Sequence, residues 1–302
     1  MHSIAFYNTE NFFEAPKKSH ADTDRKWTEK RYAEKLKNIG LTISKIGRAE
    51  TDQHPTLIGL AEIQGQTVLQ DLIQLDLLKD CHYDFVFFKS KDERAMDVAL
   101  LYDTRIFNVE SSRAFSIELF DDLGNREYKR DILLVTGVLN EVKIHVLVNH
   151  WPSKRESEKL TEPKRLIASN KVSEIISTII KEDEKALIIV MGDFNDNPTS
   201  KSVKRLVYDF KLQNPFEPLR SFSKGSIHNS RQWHLFDQIL LSETFFNPEK
   251  NSIAFKRAHI FDAEFLKNTE GKHKGTPKRT FKGPTYYGGY SDHFPVYVIL
   301  GT

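Results

Sequence analysis

Apolar residues recur along this chain in two rhythms. Short runs rich in branched and aromatic side chains stand at 3–8, 56–63, 83–88, 97–102, 131–139, 143–149, 186–191, 235–241 and 294–300. Several are continuously apolar, as expected of strands buried on both faces. The second rhythm is helical. Leu36, Ile39, Ile43 and Ile46 fall on one face, and Val172, Ile175, Ile176, Ile179 and Ile180 on another, at the spacing of an amphipathic helix. Thr161 is placed to cap the second helix, with Glu162 and Pro163 in its first turn. A weaker helical pattern covers 68–78. Helices alternating with strands, together with close-set strands joined by short turns such as 139–143, predict an α/β fold with mixed sheets: two sheets face to face, helices outside. There are no internal repeats. Residues 262–289, scattered with Gly and Pro, read as a long loop.

Composition narrows the class. With 302 residues, 39% hydrophobic and 28% charged, the chain can bury a sizeable core. Candidate site residues run from Asn8 to His293 without a Gly/Ser/Pro-rich linker between them, so a single domain over 1–302 is expected. A net charge of +2 is too mild to mark a nucleic-acid binder by itself. The lone Cys81 excludes an intramolecular disulfide framework and fits a reducing compartment. No signal segment precedes the first apolar run, and none approaches the roughly 18 residues that span a bilayer. The expectation is a cytoplasmic monomer without a membrane or protein partner, or a secreted protein if a leader is removed.

Chemistry concentrates where apolar runs end. GDFNDNP at 192–198 follows ALIIVM, and SDHFPV at 291–296 leads into a strand. Asp193 and Asn195 are two apart, which in extended backbone points both to one side; an Asp-Asn turn bonding its own backbone is the plain alternative. Asp292 and His293 also read as a polar turn when taken alone. Glu62 closes TLIGLAE, Asn8 and Glu10 close the first run, His150 closes KIHVLVN, and Asp237 opens DQILL. Each is dismissible singly as a solvated or packed strand terminus. Together they supply carboxylates for a divalent cation, a base for water and an imidazole for a phosphate, which is the equipment of phosphate-ester hydrolysis.

In YNTENF, GLAEIQ, DVALLY, VNHWPS, MGDFND, FDQILLS and YSDHFPV, taken in order over nearly the whole length, the chain resembles the endonuclease/exonuclease/phosphatase superfamily. The resemblance implies a four-layer α/β sandwich and a magnesium-dependent hydrolase, with manganese as a substitute. It implies Glu62 as principal metal ligand, with Asn8, Glu10 and Asp292 completing the surroundings. Asp193 would activate water, Asn195 hold a phosphate oxygen, and His293, oriented by Asp237, meet the phosphate. His150 resembles the deoxyribonuclease-like branch, where an acid at the position of Asp97 supports that histidine. Arg130 matches loosely a phosphate-contacting arginine of the same branch.

A nuclease is the leading expectation. Residues 267–283 hold six Lys/Arg against one Glu, and Lys272, Lys274, Lys278 and Arg279, with nearby aromatic residues, suit a nucleic-acid backbone. A phosphatase or phosphodiesterase on a small molecule, inositol phosphate or lipid head group is the alternative. A binding module on a dead hydrolase scaffold is disfavoured, because every catalytic position holds a competent residue.

Overall fold

The computed structural model describes residues 1–16, 27–92, 94–121, 123–154, 158–248 and 252–301. Eleven strands form two sheets. We number them β1 (His2–Phe12), β2 (Leu57–Ile63), β3 (Tyr83–Phe87), β4 (Asp97–Asp103), β5 (Phe107–Phe115), β6 (Ile132–Leu139), β7 (Val142–His150), β8 (Leu187–Asp193), β9 (Asp237–Leu241), β10 (Ala254–Ile260) and β11 (Val296–Gly301). The first sheet runs β10-β11-β1-β2-β4-β3 and the second β9-β8-β7-β6-β5. Each sheet has one parallel pair, β1 with β2 and β7 with β8, and its other pairings are antiparallel. Both sheets are therefore mixed, as the sequence predicts.

Strand alternation builds the layers. Ile4 and Phe6 of β1 face Ile189 and Met191 of β8 in a core between the sheets, while the intervening Ala5 and Tyr7 face outward, because successive side chains leave a strand on opposite sides. Helices α1 (Glu29–Ile43) and α2 (Gln66–Ile73) cover the first outer face with Ile39, Ile43, Val68 and Leu72. Helices α3 (Glu158–Glu182) and α4 (Lys201–Asp209) cover the second with Val172, Ile176, Val203 and Leu206. Each such aliphatic side chain, when fully buried, contributes about 1.5–3 kcal/mol. The result is helix, sheet, sheet, helix.

Local signals explain most boundaries. Thr28 caps α1, its Oγ1 accepting the N–H of Arg31 at 3.3 Å. The β6–β7 connection is a two-residue turn with Asn140 and Glu141 at positive φ. Helix α3 begins at Glu158, so Thr161 lies inside its first turn rather than capping it, and its hydroxyl bonds the Glu158 carbonyl at 3.4 Å. Glu158 is drawn in by Arg165, 3.0 Å away. Strands β5 and β10 have no counterpart in the apolar pattern, because both are sheet edges that interrupt their apolar residues with polar ones, β5 being largely exposed and β10 mostly half-buried. No described helix is long and apolar enough to cross a membrane.

Candidate active site

Topology gathers the motif residues at one rim. The parallel pairs bring the C-terminal ends of β1, β2, β7 and β8 to the same edge of the sandwich. Antiparallel β9 and β11 bring their N-terminal ends there as well, with Asp237 opposite Asp193 and Val296 opposite Phe6. His150, Asp193 and Asp237 stand in one row across the second sheet and keep the parity of Val148, Met191 and Ile239, so they point into the seam between the sheets. Asn8 keeps the parity of Phe6 and points in from the other side. Gly192 permits this closeness: a Cβ there would lie 2.4 Å from the Asn149 carbonyl oxygen of β7.

Three pairs then cross the seam. Asn8 Nδ2 donates to Asp193 Oδ2 at 3.0 Å. His293 Nδ1 is 2.7 Å from Asp237 Oδ2. His150 Nε2 lies 3.9 Å from Glu62 Oε1 and 3.6 Å from Asp193 Oδ2. His293 Nε2 is 3.9 Å from the same Asp193 oxygen. Asp193 Oδ2 is thus the hub on which an amide and two imidazoles converge.

Backbone distortion aims these groups. Register slips in β1 between Asn8 and Phe12 and in β2 between Ala61 and Ile63 are bulges, which re-aim side chains at a sheet rim. Glu10, Asn11, Glu62 and Asn195 all have positive φ, a conformation costing a non-glycine residue about 1–3 kcal/mol. Side chains of the site hold the distortion. The Asn11 amide donates to Glu62 Oε2 at 2.7 Å and the Glu10 amide to Asn8 Oδ1 at 3.0 Å. The Asn195 amide donates to Asp193 Oδ1 at 2.8 Å. Asp193 and Asn195 therefore do make a turn that bonds its own backbone, and that turn fixes the carboxylate with Oδ2 facing the seam. Asn195 Nδ2 donates one hydrogen to the Trp151 carbonyl at 3.0 Å.

Burial sets the electrostatics. It pushes the Asp193 carboxyl up to about 7, with Asp237 adding to the rise while His293 and the hydrogen bonds from Asn195 and Asn8 oppose it. Burial alone would lower the His293 imidazole, but the carboxylates of Asp237, Asp193 and Asp292 hold it well above its usual range, so it stays protonated near neutrality. In an NMR titration of the metal-free protein, His293 is expected to titrate far above free histidine. Asp237→Asn, which removes the largest carboxylate contribution, should bring the midpoint down; an unchanged midpoint would show that Asp237 does not hold the charge.

One group of described residues brings three possible metal-ligand atoms together. Asp193, Asp237 and His293 present ligand atoms all within 4.8 Å of one another, yet His293 Nδ1 and Asp237 Oδ2 already bond each other, which suits a proton-handling group better than an ion site. The oxygen-rich set that the resemblance implies, Glu62 with Glu10, Asp292 and Asn8, does not bring its three carboxylates that close together. Burial and the nearby Asp292 push Glu10 up to about 7, against the pull of Lys35 and Arg279; a hard cation beside these carboxylates would favour their ionised forms. Glu10 also has a second task, accepting the amides of Thr280 at 2.5 Å and Phe281 at 3.2 Å and thereby tying the 278–281 loop to β1.

Other sequence expectations are redistributed. Arg279 does not stand free for a substrate: it pairs with Asp292 and approaches Glu10 at 3.5 Å. Asp97 accepts hydrogen bonds from the Ser90 hydroxyl and amide, and its Oδ2 is buried without a hydrogen-bond partner among the described residues. It lies in the first sheet opposite Ile63, across the seam from the sheet that carries His150. Arg130 is buried just before β6. Lys272 lines a cavity beside the rim, whereas Lys274 and Lys278 are exposed and do not. Lys35, fully buried, donates to Thr280 Oγ1 at 2.5 Å and the Tyr290 carbonyl at 2.6 Å. Its sequence position, one residue off an apolar face, reads as an ordinary snorkelling lysine. Ser291, whose hydroxyl donates to the Asn8 carbonyl at 2.6 Å and accepts the His293 amide at 3.0 Å, was legible only as part of SDH.

Known proteins share this fold. The mannosyl-6-phosphatase of Bacteroides thetaiotaomicron VPI-5482 superposes with a TM-score of 0.61 at 17% identity, covering 100% of both chains. A humanized D. rerio TDP2 gives 0.60 at 15% identity over 100% of this chain and 99% of that one. The human Nocturnin catalytic domain gives 0.58 at 15% over 99% and 94%. At these identities the likeness establishes the fold alone. No curated protein sequence matches the chain. The Endonuclease/Exonuclease/phosphatase family matches residues 3–302. With that span and the seam residues in place, the chain belongs to this family and is an enzyme, a hydrolase of phosphate esters.

Proposed function

We propose that the protein is a magnesium-dependent hydrolase of small phosphate esters, manganese substituting. Convergence of Asn8, His150 and His293 on Asp193 Oδ2 carries the chemistry. Water attacks phosphorus as Asp193 takes its proton, a new P–O bond forms, and the ester P–O bond breaks. Protonated His293 meets the phosphoryl oxygens as their charge grows, and the second amide hydrogen of Asn195 is available to the same oxygens. His150, on the other side of the hub, is placed to return a proton to the leaving oxygen. Glu62, with Asp292, Glu10 and Asn8, would hold a divalent cation, which would supply neutralisation of phosphoryl charge.

Substrate size follows from the shape beside the rim. A cavity of about 650 Å³, within the range of small-molecule sites, adjoins Asp292 and is walled by the 268–287 loop, the loop expected to track nucleic acid. A wall of this kind favours a compact leaving group, and a mannosyl-6-phosphatase shares the fold. The exposed Lys274 and Lys278, with Tyr287, support the nuclease as a second reading. With magnesium, the purified enzyme is expected to release phosphate from sugar phosphates and leave supercoiled plasmid intact; nicked plasmid with no phosphate release would reverse that order.

A further inference from the structure

The same cavity carries more positive charge than one phosphate requires. Its lining includes Arg231, Lys272 and Lys282, none of which has a carboxylate within ion-pair distance among the described residues. The one acid on the wall, Asp292, is already matched by Arg279. Two imidazoles, His228 and His273, complete the basic side, and His273 Nε2 lies 2.9 Å from Lys282 Nζ. Slight burial, then the charges of Lys282, Lys272, His228 and Arg279, hold His273 below its usual range.

Arg231 is held there at a steric cost. The hairpin Ile227–Asn229 and Gln232–His234 closes through Ser230 and Arg231, at φ 48° and 64°. A turn with both corners at positive φ favours Asn-Gly, and an arginine is a poor occupant. Distortion of this kind persists when the surroundings impose it. The surroundings here are firm: the Phe294 amide donates to the Ser226 carbonyl at 2.7 Å, Trp233 stacks on Phe294 with centroids 6.0 Å apart, and Ile227 bridges His293. The turn is thereby fixed relative to the residue that meets the scissile phosphate.

We propose that the cavity is a second anion subsite, and that the substrate is a small phosphate ester bearing a further phosphate group, held by Arg231, Lys272 and Lys282 while the first is hydrolysed at Asp193. This rests on the phosphoester-hydrolase reading and specifies its substrate. A bisphosphate gains charge-assisted hydrogen bonds in the cavity that a monophosphate of the same skeleton cannot make.

The test compares kcat/KM for fructose 1,6-bisphosphate and fructose 6-phosphate, with magnesium, in the wild type, Arg231→Gly, Lys282→Ala, their double variant, and Lys45→Ala on a remote surface. The wild type should prefer the bisphosphate. Each single variant should lower the preference by about tenfold and the double variant by more, chiefly through KM. Lys45→Ala should leave it unchanged. Arg231→Gly should not lower Tm, since glycine relieves the turn, which separates lost binding from lost folding. Phosphate release from both sugars with no preference, or a preference the variants leave intact, overturns the subsite while sparing the hydrolase. Release from neither sugar, with plasmid cleaved, overturns the subsite and the small-ester reading together.

Discussion

Asp193→Asn is expected to lose turnover by on the order of 10²–10⁴, the usual contribution of a positioned general base. The amide cannot take the proton of water, and it also disturbs the hub. Asp193 accepts at both oxygens, from the Asn195 amide and from Asn8 Nδ2, so an NH2 at either position faces a donor. A buried conflict of that kind costs about 1–3 kcal/mol, partly offset because a buried charge is removed. Single-turnover kinetics and a thermal melt on one sample distinguish the effects: the rate should collapse while the fold survives. The pH profile adds a signature. Since burial raises Asp193 to about 7 and only its ionised form accepts a proton, kcat/KM of the wild type should climb as pH rises through neutrality. A variant turning over within a few-fold of wild type would remove Asp193 from the role.

Chelation should abolish activity, and magnesium or manganese should restore it where zinc does not, because Glu62 and its acidic neighbours offer oxygen ligands to a hard cation. Glu62→Gln should raise the magnesium concentration needed for half-maximal rate. Binding to the native state alone also stabilises it, so Tm should rise with magnesium in the wild type and less in the variant. Full activity in excess chelator would reject the metal reading outright.

The sequence disclosed the central strands and most of the seam, and the reason is burial. Strands covered on both faces, such as β2 and β8, are apolar throughout, and a polar residue at the end of such a run stands out, as Glu62, His150 and Asp193 do. Edge strands β5 and β10 carry no such contrast, and helix α4 begins amid polar loop residues. The basic loop was legible as charge but not as shape: lysine spacing does not say that Arg279 is matched by Asp292 or that Lys272 turns toward a cavity. Arg231 was invisible for the same reason. Its importance comes from a backbone angle and from a neighbour some forty residues further along the chain.

Because each of the three seam pairs takes one partner from either sheet, neither half of the sandwich holds a working site alone. Strand β1 lies beside β11, far from it in sequence, with His2 opposite Leu300. His293 reaches Asp237 only once the segment leading into β11 has joined β1 in the first sheet. A chain that lacks either strand is therefore expected to be hydrolytically silent.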